Sequence, residues 1–188
     1  MNKNIIITFL GPDGSGKTTL INSIAADLKK KKILCKYLHL RPNFFRVNHK
    51  VVKDPHNQIL RSKFLSLSKL VYWLILFKIY FFFNKKTFFL FDRYPYDLLI
   101  DPVRYRFNLN KNITKIFLRL FPKPKMIIVL NISHRIILRR KREVKKSYLI
   151  TLIKKYSKLN KEFNEVIYYK NNQDYLNIFK KIYKLKNE

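Results

Sequence analysis

The feature that most constrains this chain is a glycine-rich motif near its N-terminus. Residues 11–18 read G-P-D-G-S-G-K-T, which fits the pattern G-x-x-x-x-G-K-[ST] of a phosphate-binding loop. The apolar run at residues 5–10 predicts a buried strand before the loop, and residues 18–32 predict a helix after it. This strand–loop–helix context favours a genuine polyphosphate site over a chance glycine-rich turn.

The motif also assigns roles to its residues. Its glycines are the only three in the 188 residues, and they would let successive backbone N–H groups converge on a polyphosphate. We expect Lys17 to reach the β- and γ-phosphates and the Thr18 hydroxyl to bind Mg²⁺. The predicted ATP site comprises Gly11, Pro12, Asp13, Gly14, Ser15, Gly16, Lys17, Thr18 and Thr19.

Length and composition predict one globular domain over residues 1–188, because no linker rich in Gly, Pro or Ser divides the chain. A hydrophobic content of 47% excludes global disorder. The single Cys35 excludes an intramolecular disulfide and a cysteine metal site, which favours a reducing compartment. The apolar run at residues 5–10 is too short for a signal peptide, so a cytoplasmic location is expected.

The net charge of +30 predicts attraction to polyanions, whether nucleotides, nucleic acid or an anionic membrane. A compositional bias towards Lys and Asn would produce much of the same charge without a function. The sequence leaves both explanations open.

Alternating apolar strands and helices predict an α/β fold, with a parallel sheet that has helices on both faces. The predicted strands are residues 5–10, 33–40, 87–91, 126–130 and 166–169. The predicted helices are residues 18–32, 58–83, 113–121, a segment that begins near Ser133, residues 147–165 and residues 174–186.

The helix at residues 58–83 is apolar almost all round in its second half, from Leu70 to Phe83. We interpret it as a buried core helix, since the apolar run is short for a membrane span and Lys78 interrupts it. The alternative is a helix that lies at a membrane interface with help from the basic surface.

Polar residues follow the predicted strands at the edge where ligands bind to parallel sheets. Arg41 follows the second strand, and Asp92-Arg93-Tyr94 follows the third. The predicted loop at residues 95–110 then concentrates charges and tyrosine, which suggests a site. A cluster of basic residues lies at 139–142.

These motifs, in this order, make nearly the whole chain resemble the thymidylate kinase-like branch of the P-loop nucleotide kinases. The resemblance implies a five-stranded sheet of order 2-3-1-4-5 and ATP–Mg²⁺ as phosphoryl donor. It also implies that Asp92 lies near the metal or the acceptor and that Arg93 binds the acceptor. The lid would span residues 133–147, with Arg140 closing over the transferred group.

Residues 95–106 differ from the stretch with which thymidylate kinases hold thymine. The D-P-V-R-Y-R sequence at 101–106 instead resembles a subgroup found with bacterial surface-polysaccharide genes, which implies a sugar or glycan hydroxyl as acceptor. Asp97 or Asp101 would then orient or deprotonate that hydroxyl, or would simply pair with Arg104 and Arg106.

We therefore expect an ATP- and Mg²⁺-dependent phosphotransferase that acts on a nucleoside monophosphate. The alternatives are a sugar kinase and, from another class, a nucleic-acid-binding ATPase or switch. A homodimer and a peripheral contact with an anionic membrane are further candidates, whereas nucleic acid is not an expected partner. The expected acceptor-binding residues are Arg41, Arg93, Tyr94, Asp97, Asp101, Arg104 and Arg106.

Overall fold

The order of the strands in the sheet sets the architecture of this α/β chain. The structure is a computed structural model that describes residues 4–40, 59–140, 145–163, 165–170 and 173–187. Within them, five parallel strands pair in the order β2-β3-β1-β4-β5, which confirms the predicted fold class and topology. The strands are β1 (Ile5–Leu10), β2 (Cys35–His39), β3 (Phe88–Asp92), β4 (Met126–Leu130) and β5 (Val166–Tyr169).

Helices fill the connections between the strands. They are α1 (Lys17–Lys30), α2 (Lys63–Phe83), α3 (Asp97–Ile100), α4 (Lys111–Leu118), α5 (His134–Arg140), α6 (Lys146–Tyr156) and α7 (Gln173–Lys184). Arg41 and part of the predicted lid, residues 141–144, lie outside the described residues.

The burial of the strands explains why their sequences are continuously apolar. Every residue of β1, β3 and β4 is buried, because helices cover both faces of the centre of the sheet. Alternate residues of β1 enter different cores. Ile6 packs with residues of α2, α4 and α6, whereas Ile7 packs with residues of α1 and α7 on the other face.

The segment at residues 95–110 is more regular than the loop that we predicted. It contains α3 and a short 3₁₀ helix, Val103–Tyr105. Leu98 and Ile100 of α3 are buried in the core, so the segment folds against the sheet instead of lying on the surface. The predicted helix over 147–165 is shorter than expected, because α6 ends at Tyr156 and a 3₁₀ turn, Leu159–Lys161, follows it.

Helix α2 is buried along one face only, which corrects the interpretation of a buried core helix. Ser62 caps its N-terminus by accepting a hydrogen bond from the Leu65 backbone N–H at 3.3 Å. Leu70, Trp73, Leu74 and Phe77 face the core. The opposite face exposes large apolar side chains, and the helix is long and apolar enough to cross a membrane by length and composition.

Phe77 anchors the buried face of α2. Its ring is 2% exposed and stacks on Phe91 of β3 at a centroid distance of 5.4 Å. It also makes edge contacts with Tyr94 at 5.6 Å and Phe121 at 5.3 Å. This aromatic cluster joins α2 to the strand that ends at Asp92.

We predict that Phe77→Ala lowers the free energy of unfolding by about 3–5 kcal/mol, because it leaves a cavity among several rings. Urea denaturation followed by circular dichroism measures the change. The matched control is Phe64→Ala on the same helix, where the side chain is 76% exposed and the expected change is within about 0.5 kcal/mol. Equal losses in the two variants would contradict the packing described here.

Candidate active site

Strand register brings the phosphate-binding loop next to the end of β3. Phe9 of β1 is paired with Asp92 of β3, and His39 of β2 is paired with the same residue. The Arg93 backbone N–H continues the ladder by donating to the Phe9 carbonyl at 3.0 Å. The two segments that carry the predicted chemistry therefore leave the sheet side by side at its carboxyl edge.

The loop owes its shape to backbone angles that favour glycine. Gly16 has φ of +92° and caps α1, which begins at Lys17. At Gly11, φ is +149° and a Cβ atom would lie 3.2 Å from the Leu130 carbonyl oxygen, so a side chain there would be strained and would crowd the backbone of β4. The first-turn N–H groups of α1 lack partners within the helix, and they are the groups that bind anions at helix N-termini.

Lys17 is held at the base of this loop. Its Nζ donates to the carbonyl oxygens of Gly11 at 2.9 Å and Pro12 at 2.8 Å. Burial, followed by the nearby positive charge of Arg93, lowers the pKa of Lys17 to about 7. An anionic phosphate would stabilise the protonated amine, so a phosphate ligand would raise this pKa.

Asp92 has one carboxylate oxygen with a partner and one without. Its Oδ2 accepts a hydrogen bond from the Tyr37 hydroxyl at 3.2 Å, while its buried Oδ1 has no hydrogen-bond partner among the described residues. Burial and the charge of Asp92 raise the pKa of Tyr37 to about 12, and the Thr18 side chain also interacts with the Tyr37 hydroxyl. Thr18 and Asp92 therefore both interact with the Tyr37 hydroxyl.

These oxygen donors fit the magnesium ion that the motif implies. Mg²⁺ prefers carboxylate and hydroxyl oxygens and keeps several waters or phosphate oxygens in its coordination sphere. Among the residues that the structure describes, no group of three or more His, Cys, Asp or Glu side chains could hold a metal by itself. Thr18 and Asp92, with its unpaired buried oxygen, are the residues that would hold Mg²⁺ beside a nucleotide.

An ionic cluster connects the loop to the chain beyond β3. Arg93 donates through Nη2 to Asp13 Oδ1 at 2.6 Å and through Nη1 to Asp97 Oδ2 at 2.6 Å. Arg104 also forms an ion pair with Asp13, through Oδ2. Two guanidinium groups therefore meet on the carboxylate of a loop residue.

Arg93 is fixed by more than charge. Its φ of +72° is unusual for a non-glycine residue, and its side chain is 3% exposed. Asp97 is fully buried and accepts hydrogen bonds from Tyr105 at 3.1 Å and Tyr156 at 3.0 Å. Burial alone would lower the pKa of Arg93. The negative charges of Asp97 and Asp13 instead raise that pKa well above the ordinary value. The guanidinium therefore stays charged in the core.

The remaining predicted acceptor residues lie in different places. Tyr94 is fully buried, and its hydroxyl donates to the Pro122 carbonyl, so the structure does not bring it to the cleft. Arg106 donates to the Ile59 carbonyl at 2.9 Å. Asp101 is 1% exposed and accepts a hydrogen bond from Tyr148 at 2.7 Å.

The described part of the predicted lid lies next to the loop. Arg140 is the last residue of α5, and its exposed guanidinium donates to the Gly14 carbonyl at 3.5 Å. It lines the same open cleft as the loop, Asp92 and Arg93. The position is compatible with the lid role, which stays a prediction.

Sequence reasoning missed three tyrosines of this site, namely Tyr37, Tyr148 and Tyr156. Tyr37 lies two residues before the end of β2, and that position was a usable signal because strand ends meet at the cleft. Tyr148 and Tyr156 had no comparable signal. Both lie in the helix predicted at residues 147–165, and their hydroxyls donate to Asp101 and Asp97.

Family comparison agrees with this geometry. A family model described as "ATPase family associated with various cellular activities (AAA)" matches residues 7–175, from β1 into α7. The chain belongs to this ATPase family. As a P-loop NTPase it is a nucleotide-binding protein, and the family implies ATP, usually with Mg²⁺. No protein with curated annotation matches this member of the family in sequence.

The fold of this AAA-family chain is similar to that of a solved nucleotide kinase. The neighbour is thymidylate kinase from Candida albicans, whose structure was described in terms of its broad substrate specificity and a novel structural element. The TM-score is 0.64 at 13% identity, over 98% of this chain and 92% of the other. The likeness confirms the P-loop nucleotide kinase-like fold. The thymidylate kinase-like branch and the polysaccharide-associated subgroup stay predictions.

We predict that ATP binding takes up protons above neutral pH, because the pKa of about 7 leaves Lys17 largely neutral at about pH 8.5 and phosphate favours its charged form. Isothermal titration calorimetry in buffers of different ionisation enthalpy measures the uptake. It should diminish at about pH 6, where Lys17 is already protonated.

The control for this measurement is Lys17→Arg, whose guanidinium is charged across the same pH range. Any nucleotide that this variant binds should enter without proton uptake at residue 17. Unchanged uptake in Lys17→Arg would contradict the assignment to Lys17.

Proposed function

We propose that this protein is an ATP- and Mg²⁺-dependent kinase that transfers the γ-phosphoryl group to a nucleoside monophosphate. The observation that carries the proposal is the meeting of Arg93 and Arg104 on the Asp13 carboxylate. A hydrolase that uses water as acceptor has no need of a second phosphate-binding group beside the loop.

The arginine pair favours an acceptor that already carries phosphate. Guanidinium groups bind carboxylate and phosphate through the same fork of donors, so the Asp13 carboxylate occupies geometry that suits a phosphate. The side chains of Asp13 and Arg104 are 19% and 16% exposed, and Asp13 and Arg93 line the cleft. An entering monophosphate would compete with Asp13 for these donors.

The carboxylates are less suited to a sugar kinase. Asp97 and Asp101 are 0% and 1% exposed, and both accept hydrogen bonds from tyrosine hydroxyls. Asp97 also carries the ion pair with Arg93. Buried, fully engaged carboxylates are poor bases for an incoming hydroxyl, which supports the structural role for both residues over the catalytic one.

The chain's own residues would act mainly by binding and neutralising charge. Lys17 and the N–H groups of the loop hold the donor phosphates, and Arg140 approaches the loop from the lid side. Mg²⁺, held by Thr18 and Asp92, would neutralise further charge on the donor. Phosphoryl transfer depends on such positioning and electrostatic stabilisation more than on covalent chemistry by the protein.

We predict that Lys17→Ala reduces ATP turnover by about 100-fold or more, because it removes the buried cation that meets the transferred phosphate. A coupled assay of ADP release measures the rate. Lys29→Ala on the exposed end of α1 is the control and should retain normal turnover. Full activity of Lys17→Ala would contradict the proposed role.

A panel of acceptors tests the substrate class. ADP release is measured with nucleoside monophosphates, the corresponding nucleosides, sugars and sugar phosphates, each against ATP alone. We expect turnover with monophosphates and little with unphosphorylated compounds. Equal turnover of nucleosides or free sugars would contradict a phosphate-binding arginine pair.

We predict that Arg104→Gln lowers kcat/KM for the monophosphate by about 10- to 100-fold, as expected for a lost hydrogen bond to a charged group. The loss should lie mainly in the KM of the acceptor, while the KM for ATP changes little. Arg119→Gln, which alters an exposed arginine just after α4, is the matched control. Equal effects of the two substitutions would contradict a specific role for Arg104.

The family match favours a second candidate, an ATPase or switch for which water is the acceptor. The same panel distinguishes it. Turnover that needs no acceptor and does not rise when any is added would support the ATPase and overturn the kinase.

A further inference from the structure

The exposed face of α2 is a large apolar surface that the proposed function does not use. We name it the α2 stripe, and it consists of Phe64, Leu65, Val71, Tyr72, Ile75, Ile79, Phe82 and Phe83. The exposures of Phe64, Phe82 and Phe83 are 76%, 68% and 77%. Such contiguous apolar patches on a folded protein mark interaction sites more often than scattered single residues do.

Helical geometry makes the stripe continuous. At 3.6 residues per turn, these positions fall within an arc of about 120°, and the stripe is about 28 Å long from Phe64 to Phe83. The only polar side chain near its midline is Ser68, whose hydroxyl donates to the Phe64 carbonyl at 3.0 Å. Apart from the hydroxyl of Tyr72, the stripe therefore presents almost no polar group that needs water.

Basic residues flank the stripe and acidic residues do not. Arg61 and Lys63 precede it, Lys85 and Lys86 follow it, and Lys78 lies along its edge, all of them exposed. The sequence contains no Asp or Glu between Asp54 and Asp92. An apolar face bordered by cations is complementary to a bilayer with anionic headgroups.

The buried face of α2 determines how the helix can meet a bilayer. Trp73 contacts Tyr105 edge-on at 6.1 Å, and Phe77 stacks on Phe91 of the sheet. Crossing a membrane would pull these rings out of the core. The helix can instead lie in the plane of the interface with the stripe in the lipid and the domain above it.

We propose that the α2 stripe binds this protein to the surface of an anionic lipid bilayer. A second copy of the chain is the less suitable occupant of the stripe. Pairing two such stripes would bring cationic borders together, with no carboxylate on the helix to compensate, on a protein of net charge +30. Membrane attachment by this surface does not depend on the kinase reaction.

Vesicle co-sedimentation tests the proposal with the full chain. Vesicles of phosphatidylcholine alone are compared with vesicles that contain about 30% phosphatidylglycerol, in about 0.15 M and about 1 M sodium chloride. We expect binding to the anionic vesicles, weakened by high salt. The triple substitution Phe64→Ser, Ile75→Ser and Phe82→Ser should reduce partitioning by more than about tenfold.

The matched control replaces three exposed apolar residues elsewhere, by Ile113→Ser, Ile116→Ser and Leu176→Ser. It should bind vesicles as the unaltered protein does. Lys63→Gln with Lys85→Gln should weaken anionic binding more than Lys180→Gln with Lys181→Gln, although both pairs remove the same charge. Circular dichroism checks that each variant is folded.

Three results would overturn the proposal. The first is no binding of the unaltered protein to anionic vesicles. The second is equal loss in the stripe and control variants, or undiminished binding of the stripe variant, which would indicate general electrostatic adsorption. The third is a dimer, seen by light scattering, that the stripe variant converts to a monomer without any vesicle binding, because the occupant would then be a second copy.

Discussion

The position of Arg93 between two carboxylates is the interaction on which the rest of the site depends. One side of its guanidinium holds Asp13 of the phosphate-binding loop, and the other holds Asp97 of α3. A charge this deeply buried is tolerable only when it is paired and hydrogen bonded, and the two carboxylates provide the pairing. Because the same residue follows β3, it ties the loop, the central sheet and the segment beyond the sheet into one unit.

The buried ion pairs of Arg93 and the buried Lys17 both affect the chemistry of the site. The hydroxyls of Tyr105 and Tyr156 complete the surroundings of Asp97, so the Arg93 guanidinium at the cleft has buried, hydrogen-bonded support. The loop meanwhile keeps Lys17 buried and easily deprotonated until an anion stabilises its charge. A site that is assembled in advance and responds electrostatically suits phosphoryl transfer, in which positioning and charge neutralisation supply most of the catalysis.

Helix α2 shows how one element can serve two purposes. Its inner face, through Phe77, supports the strand that carries Asp92, and its outer face forms the α2 stripe. A helix that is apolar nearly all round can pack against the core on one face and form the α2 stripe on the other. For that reason the pattern alone favoured a buried core helix over a helix at a membrane interface, and only the position of α2 at the surface of the domain identified which residues lie outside. The basic residues that border the stripe add positive charge to its apolar surface.

The sequence by itself determined the position of the phosphate-binding loop and of the strands along the chain. The bounds of β1, β4 and β5 were predicted as the structure has them, because buried strands and glycine-dependent turns are local properties of the chain. Only the tertiary structure decided that Asp13 contacts Arg93, that Asp97 contacts Tyr156 and that Tyr37 contacts Asp92, since these partners lie 80, 59 and 55 residues apart along the chain. Charges and hydroxyls carry no local signal of the partner that they will meet, so the packing of sheet and helices alone selects it.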